Sequence, residues 1–531
     1  MTILREFRIY LERSRLEYVL LFVVIFAILT YVQYTSVIGD PDGFYHTKIA
    51  LFLSQGIVLH AMPWLQFTTL AASFTDHHFL YHVLLVPFVL FGKPLVGVKL
   101  ATVVFSAAFF TVFYFILRRL QLAAPLTYTL LLLGTSAFLF RLSLVKANAV
   151  SLIVLLLVIL ALLERRALFL GICTALYVWL YGGWPVAWVV AIIFFVTDWF
   201  IGWVSLPQSS RIHPHIRRIT KTRTLFFALV AGTICGIIIN PYWPSNINFY
   251  WQQIWQIAIL NNGSVSGVGG EWSSLSPAEF AVFFGYPLLA LMPAIAMVIV
   301  DPVRASRRSW QIFLFALLCA LFAVKSRRYV ELAAPMLILS ASSFWRDMFA
   351  HGMLHTWWRR ARLLFQRGAD QLTIAALALL VTCIFLPNIG FAAQIITAHN
   401  ELSRGVPLMR YARAGAWLHD NTPAGSIVFH SDWDDWPMLF YFNDHNYYLV
   451  GLDPTFMYNY SPTLYKRWAT LTRDGTDPDP IGFILDTLHA QYVLIGKDHD
   501  KLQKTIGENL YSRLVYEDDD VWIYRIDNGT K

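Results

Sequence analysis

The chain has 531 residues, 57% of them hydrophobic, 16% aromatic and only 14% charged, with a mean hydropathy of +0.54. That balance excludes an ordinary soluble protein, and repeated apolar runs near twenty residues point to a polytopic α-helical membrane protein. The net charge of +8 is uneven: residues 391–531 carry 19 Asp+Glu against 12 Lys+Arg, and the preceding 390 carry 14 against 29. This is a signal of topology and argues for no nucleic-acid partner, since no basic stripe with interleaved aromatics lies on a soluble face.

In chain order, residues 18–33 form an uncleaved first span, because no small-residue cleavage site follows the apolar run. Eleven to thirteen transmembrane helices are expected. The clearest segments lie at roughly 18–36, 94–117, 125–141, 148–163, 168–181, 183–204, 223–240, 280–300, 311–324, 329–345 and 371–390. With the N-terminus inside, Arg118 and Arg119, Arg165 and Arg166, the stretch from Arg211 to Arg223, and Arg304, Arg307 and Arg308 all fall in inside loops. An odd number of spans then places the C-terminal residues outside. The expected division is a membrane domain over 1–390, with outer loops 37–93 and 241–279, and an extracytoplasmic α/β domain over 391–531. FLYHVLLVPFVLFG at 79–92 is short for a span and reads as an interfacial or re-entrant helix; were it a span, every later loop would change sides. Cys173, Cys235, Cys319 and Cys383 all lie in apolar runs and read as packing residues.

The first outer loop holds DPDGFYHTK, with Asp40, Asp42, His46 and Lys48, then TDHHFLYH, with Asp76, His77, His78 and His82. Carboxylates with histidines at helical spacing suit a divalent metal or acid–base chemistry, while helix capping by Asp40 or Asp42 explains part of the pattern. Against the positive-inside rule, Lys146 starts a span on the outer side, and KSRRYVELAAP puts Lys325, Arg327 and Arg328 there too. Charges near bilayer depth are costly, so these read as ligands of a phosphate or diphosphate, with anionic lipid headgroups as the plainer account.

The second outer loop runs NNGSVSGVGGEWSSLSP and carries a single acid, Glu271. It reads as a lid or as a plain connection. In the tail, AGAWLHDN reads as a helix, and SIVFHS, YYLVGLD, QYVLIGK and VWIYRI as strands. Between the first two strands, Asp432, Trp433, Asp434, Asp435 and Trp436 combine rings with carboxylates, a set suited to sugars or peptide hydroxyls.

An aspartate after the first span, an S-V-S loop, an Arg-aromatic-x5-Pro at a span start, YGGWP at 181–185 and a Trp-Asp pair in an outer domain all occur here. Together they resemble the catalytic subunit of oligosaccharyltransferase and its bacterial and archaeal counterparts, of the GT-C class. The resemblance implies that Asp42 binds metal and engages the acceptor, that Arg328 holds the lipid diphosphate, and that Trp433–Asp434 read the acceptor. Ser264–Val265–Ser266 would belong to the lid. It implies a divalent metal, Mg or Mn, but Lys146 and Asn148 stand where that family has two metal-binding acids. Gly267 stands in place of the lid acid, with Glu271 four residues on, and Asp432 replaces the first tryptophan of the acceptor motif.

The expectation is a glycosyltransferase of a bacterial or archaeal plasma membrane, embedded among membrane lipids. It would take a polyprenyl phosphate- or diphosphate-linked sugar and serve a protein, lipid or polysaccharide acceptor. Asp42 and Glu271 would be catalytic, with Lys146, Lys325, Arg327 and Arg328 on the phosphate. Asp432 to Trp436 would face the acceptor, and Asp40, His46, Asp76, His77, His78 and His82 would serve metal or acid–base roles. Asp42, Lys146 and Arg328 are expected in one pocket. A lipid-linked-sugar flippase and a GT-C-like scaffold without chemistry are the alternatives.

Overall fold

The computed structural model describes residues 15–204, 212–254, 269–300, 302–353 and 390–527. The loop Ser264–Val265–Ser266 and positions 371–389 of the last expected segment lie outside them. Every other expected apolar segment falls on a helix. Among the described residues, four helices are long and apolar enough to cross a membrane: Leu16–Gln33, Pro94–Arg119, Lys221–Ile238 and Arg307–Lys325. A fifth span results if the pair Pro125–Leu133 and Ser136–Leu142, bent by 77°, counts as one. Other helices match their expected segments but are short for a span, such as Asn148–Glu164 with 17 residues and Ala167–Leu180 with 14. The turn between these two is set by Arg165, whose left-handed backbone (φ 57) ends the first helix. The chain is a predominantly helical integral membrane protein with a small sheet domain.

The chain divides into two compact units, and the division is not a single cut near 390. One comprises Met1–Thr35, Thr102–Gly236 and Gly269–Ser403; the other comprises Ser36–Ala101, Ile237–Val268 and Arg404–Lys531. The first unit is helical. A close helix contact in it follows from Gly232-x3-Gly236: a Cβ on Gly232 would sit 2.3 Å from the Gly171 carbonyl oxygen, and one on Gly236 2.9 Å from that of Ala175. Small residues let two backbones touch where lipid supplies no hydrophobic drive.

The second unit contains all the described strands: β1 Val37–Ile38, β2 Val406–Pro407, β3 Ile427–His430, β4 Tyr447–Tyr448, β5 Ala490–Gly496, β6 Ser512–Glu517 and β7 Val521–Ile526. β1 pairs with β2. The others form one mixed sheet in the order β4-β3-β5-β7-β6, with β3 parallel to both β4 and β5, and β7 antiparallel to β5 and β6. β6 is not among the strands expected from the sequence. Helix Pro462–Asp474 is a second addition, although Ser461 caps it through the Leu464 N–H, Pro462 opens it and Gly475 (φ +67) closes it. Phe429, Val493 and Ile495 of the sheet pack on Tyr465, Trp468 and Leu471 of that helix.

Candidate active site

In the helical unit, the bend between Pro125–Leu133 and Ser136–Leu142 leads to Arg141 in the last turn. The carbonyls that end this helix are satisfied by side chains. Ser106 Oγ donates to Leu142 O (2.9 Å), Asn148 Nδ2 to Arg141 O (3.2 Å), and Gln33 Nε2 to Ser143 O. Arg141 reaches two carboxylates: Nη1 donates to Glu271 Oε2 at 2.8 Å, and Nη2 to Glu331 Oε2 at 3.0 Å. Arg328 Nη1 meets Glu271 Oε1 at 3.2 Å, and Lys146 Nζ lies 3.8 Å from Glu271 Oε2. Tyr181 Oη donates to Glu331 Oε1 at 3.4 Å.

The Glu271 segment is fixed by backbone and ring contacts. Ser326 Oγ donates to Glu271 O (2.9 Å), Arg327 N to Ser273 O (3.0 Å), and the Arg328 guanidinium stacks over Trp272 at 5.0 Å. Burial pushes the Glu271 carboxyl up, but Lys146, Arg328 and Arg141 outweigh it and hold the group well below the usual carboxylate range. Three cations against two carboxylates leave one positive charge in excess. Lys146 and Arg328 are therefore brought together, as expected of a phosphate site. Glu271 joins them as their counter-ion. Arg327 is diverted: its Nη2 pairs with Glu279 Oε1 at 2.6 Å. Lys325 is exposed in the last turn of its helix. Arg141, Glu331 and Tyr181 join the cluster; no site role is expected of the first two from the sequence, and Tyr181 only opens the YGGWP motif.

In the second unit, Asp40 Oδ1 accepts from Asp42 N (3.0 Å) in the turn that leads into helix Asp42–Ser54, and Asp42 lies half-buried in the first turn of that helix. One turn on, His46 Nδ1 is 2.7 Å from His82 Nε2, and His82 Nδ1 is 2.6 Å from Asp76 Oδ2. All three side chains are buried. Asp76 Oδ1 accepts the His78 backbone N–H at 2.9 Å. An Asp76 carboxylate accepting from His82 Nδ1 leaves His82 Nε2 to accept from His46 Nδ1, so the three groups form one hydrogen-bonded chain. Burial, followed by Asp76 and Asp42, raises the neighbouring Tyr45 hydroxyl well above its ordinary value. His78 and His82 share a backbone hydrogen bond (3.0 Å) with ring centroids 6.3 Å apart, and His77 stacks on Phe249.

The Trp-Asp segment follows the C-terminal end of β3, where open α/β sheets place ligands. Asp432 Oδ1 accepts from Asp434 N (3.2 Å), which leaves Asp432, Trp433 and Asp434 half-buried on a short turn, Trp433–Asp435. The two remaining members of the expected acceptor set turn inward. Asp435 accepts from Tyr411 Oη (2.7 Å) and Ser431 Oγ (3.2 Å), and the fully buried Trp436 stacks on Phe440 at 4.7 Å. The Asp435 oxygens and the Trp436 ring are turned into the core, which corrects the expectation that they face an acceptor.

A divalent metal does not fit the positions the resemblance assigns to it. Lys146 presents an ammonium, Asn148 is buried with its amide donating to Arg141 O, and both His82 nitrogens are engaged. Among the described residues no three His, Cys, Asp or Glu side chains come together in a set that could hold a metal ion.

No protein-family model and no curated protein matches the chain. Solved structures do. The oligosaccharyltransferase of Archaeoglobus fulgidus matches with a TM-score of 0.63 at 12% identity, over 96% of this chain and 74% of that one. The same enzyme in complex with an inhibitory peptide and a dolichol-phosphate matches at 0.59. ArnT from Cupriavidus metallidurans, bound to undecaprenyl phosphate, gives 0.56 at 14% identity over 96% and 98%. The mycobacterial arabinofuranosyltransferase AftD gives 0.53 at 14% over 97% and 40%. With sheet domain, membrane helices and fold neighbours all in agreement, this chain is a divergent bearer of the GT-C glycosyltransferase fold.

Proposed function

We propose that the chain is a membrane glycosyltransferase that moves a sugar from a polyprenyl phosphate or diphosphate to an acceptor nucleophile. The C1–oxygen bond to phosphate breaks and its electron pair leaves on the phosphate, held by Arg141, Lys146 and Arg328. A bond from C1 to the acceptor oxygen or nitrogen forms, and the acceptor proton passes to the Asp42 carboxylate. Glu271 neutralises the cations until the donor arrives and yields its place to the phosphate. Trp433 and Asp434 contact the acceptor.

The observation that carries this reading is the convergence of three cations, Arg141 and Lys146 from one stretch of chain and Arg328 from another, on one carboxylate. Guanidinium forks match phosphate oxygens, and fixed positive charge stabilises a departing anion. The neighbours that hold dolichol-phosphate and undecaprenyl phosphate support the same class of donor.

The test is transfer by the reconstituted protein, read as release of the polyprenyl phosphate from a labelled donor. Asp42→Asn is expected to lower the rate by about 10²–10⁴-fold, the range for a lost positioned base, while the protein remains folded. Wild-type turnover in that variant would remove Asp42 from the chemistry. Movement of intact donor across the bilayer without phosphate release would identify a flippase instead. Since ammonium and guanidinium groups take the place of the metal, activity is expected to survive EDTA; loss on chelation with recovery in Mn²⁺ or Mg²⁺ would refute the assignment of Lys146.

A further inference from the structure

A second basic site lies at the opposite end of the helix that leads to Arg328. Helix Arg307–Lys325 has 19 residues and so spans about 28 Å at 1.5 Å per residue. Its last residues lead to the cation cluster described above. Its first residues line a cavity of about 290 Å³, together with Arg165, Asp198 and the apolar side chains of Phe194, Phe195 and Leu225. The charges are not balanced. Asp198 is shared by Arg165 and Arg307, whose Nη1 lies 3.2 Å from Asp198 Oδ1, and Gln311 Nε2 donates to that same oxygen at 3.1 Å.

Arg308 adds a third cation. Glu164, whose field reaches Arg308, is already held by Arg119 at 2.6 Å and Arg166 at 2.8 Å. The lining therefore carries three arginines against one acid. Arg307 Nε is buried and makes no hydrogen bond among the described residues. Its Nη1 is spent on Asp198, so the Nε edge of the fork is the one left to receive an oxyanion.

We infer that this cavity binds the phosphate headgroup of an anionic membrane lipid, with Arg307 and Arg308 on the phosphate and Phe194, Phe195 and Leu225 along the first methylenes. Basic pockets between membrane helices take such headgroups, and a guanidinium edge matches two phosphate oxygens. The apolar wall favours a lipid over free phosphate, which would leave those rings facing water. The site is independent of the transfer reaction and stands whatever that reaction proves to be.

The test is thermal unfolding of the full chain in neutral detergent, read by tryptophan fluorescence. Three probes are compared: phosphatidylglycerol in mixed micelles, phosphatidylcholine in the same micelles, and inorganic phosphate. Phosphatidylglycerol near a hundredfold its dissociation constant should raise the midpoint by about 2 °C, and the other two should not. Arg308→Gln, at an exposed position, should fold normally and reduce the shift, and Arg307→Gln/Arg308→Gln should abolish it. Native mass spectrometry should show a co-purified phospholipid on the wild type that the double variant lacks, a readout independent of unfolding. Equal shifts in wild type and double variant would overturn the site. A shift reproduced by inorganic phosphate would make it a free-anion site and overturn the lipid assignment.

Discussion

Arg328→Ala is expected to slow transfer by about 10²–10³-fold, the cost of removing one preorganised charge-stabilising donor. Arg328 is one of three cations on Glu271, and its guanidinium lies over Trp272, which fixes the plane of the fork. Arg328→Lys keeps the charge but loses the fork and the stacking, so it should recover only part of the rate. Glu271→Gln separates the two readings of that residue. As a counter-ion, its loss raises the excess charge of the cluster by one and should tighten donor or inorganic phosphate binding, lowering KM while slow product release limits kcat. As a base, its loss would abolish kcat and leave KM unchanged. Steady-state kinetics on both variants decides between them, and an Arg328→Ala enzyme as fast as wild type would remove the cluster from the chemistry. Arg141 is a poorer choice of variant. It bridges two carboxylates in the interior, and taking one partner from a buried pair costs about 3–5 kcal/mol, enough to unfold the site.

Much of this is legible in the sequence, for a physical reason in each case. Lys146 and Arg328 stand out because a cation is expensive at bilayer depth and so is kept there only for a purpose. By the same logic Arg141 is visible in SAFLFRLSL, at the end of the segment expected over 125–141, but that segment reads as one continuous span, and only the 77° bend divides it. Arg327 and Arg328 are adjacent and equal as letters, and only the three-dimensional course of the chain sends one to Glu279 and the other to Glu271.

The histidines show a related limit. Spacing of four suggests His78 with His82, whereas the side-chain hydrogen bond joins His46 to His82 across 36 residues. In the Trp-Asp segment, composition gives the residue types but not their direction. The turn at Trp433–Asp435 leaves the first three residues partly open and commits Asp435 and Trp436 to the core. Strand β6 is hidden because only part of SRLVYE is apolar, and its pairing with β7 across Asp518–Asp520 is a tertiary fact.

The buried Asp435 leads to the second large effect, on the stability of the sheet-bearing unit. Burial, with the field of Asp432, pushes the Asp435 carboxyl up from 3.8 to about 6, against the pull of Tyr411 and Arg410. Nearby, burial pushes His430 down from 6.5 to about 4. The neutral His430 ring is fully used: Nδ1 donates to Asp432 O at 2.7 Å and Nε2 accepts from Val450 N at 3.4 Å, which an imidazolium could not do. The two groups act in opposite directions. Between pH 4 and 6 the folded chain holds a proton on Asp435 that the unfolded chain releases, so stability falls as pH rises. Over the same window the unfolded chain holds a proton on His430 that the folded chain refuses, so stability rises with pH. Each contribution amounts to about 3 kcal/mol, since a tenfold change in proton affinity is worth about 1.4 kcal/mol, and between pH 4 and 6 they nearly cancel.

Asp435→Asn removes one side of that balance. The amide oxygen can still accept from Tyr411, and the amide nitrogen can donate to Ser431 Oγ, so the packing is retained. The variant is expected to be more stable than wild type at pH 7–8 by up to about 3 kcal/mol, and to lose about that much between pH 6.5 and 4 as His430 acts unopposed. Hydrogen exchange of the β3 and β5 amides in the full chain, corrected for intrinsic rates, reads both effects as about a hundredfold change in protection. Parallel pH profiles for variant and wild type would show that Asp435 is ionised in the folded protein, and the balance with His430 would not exist.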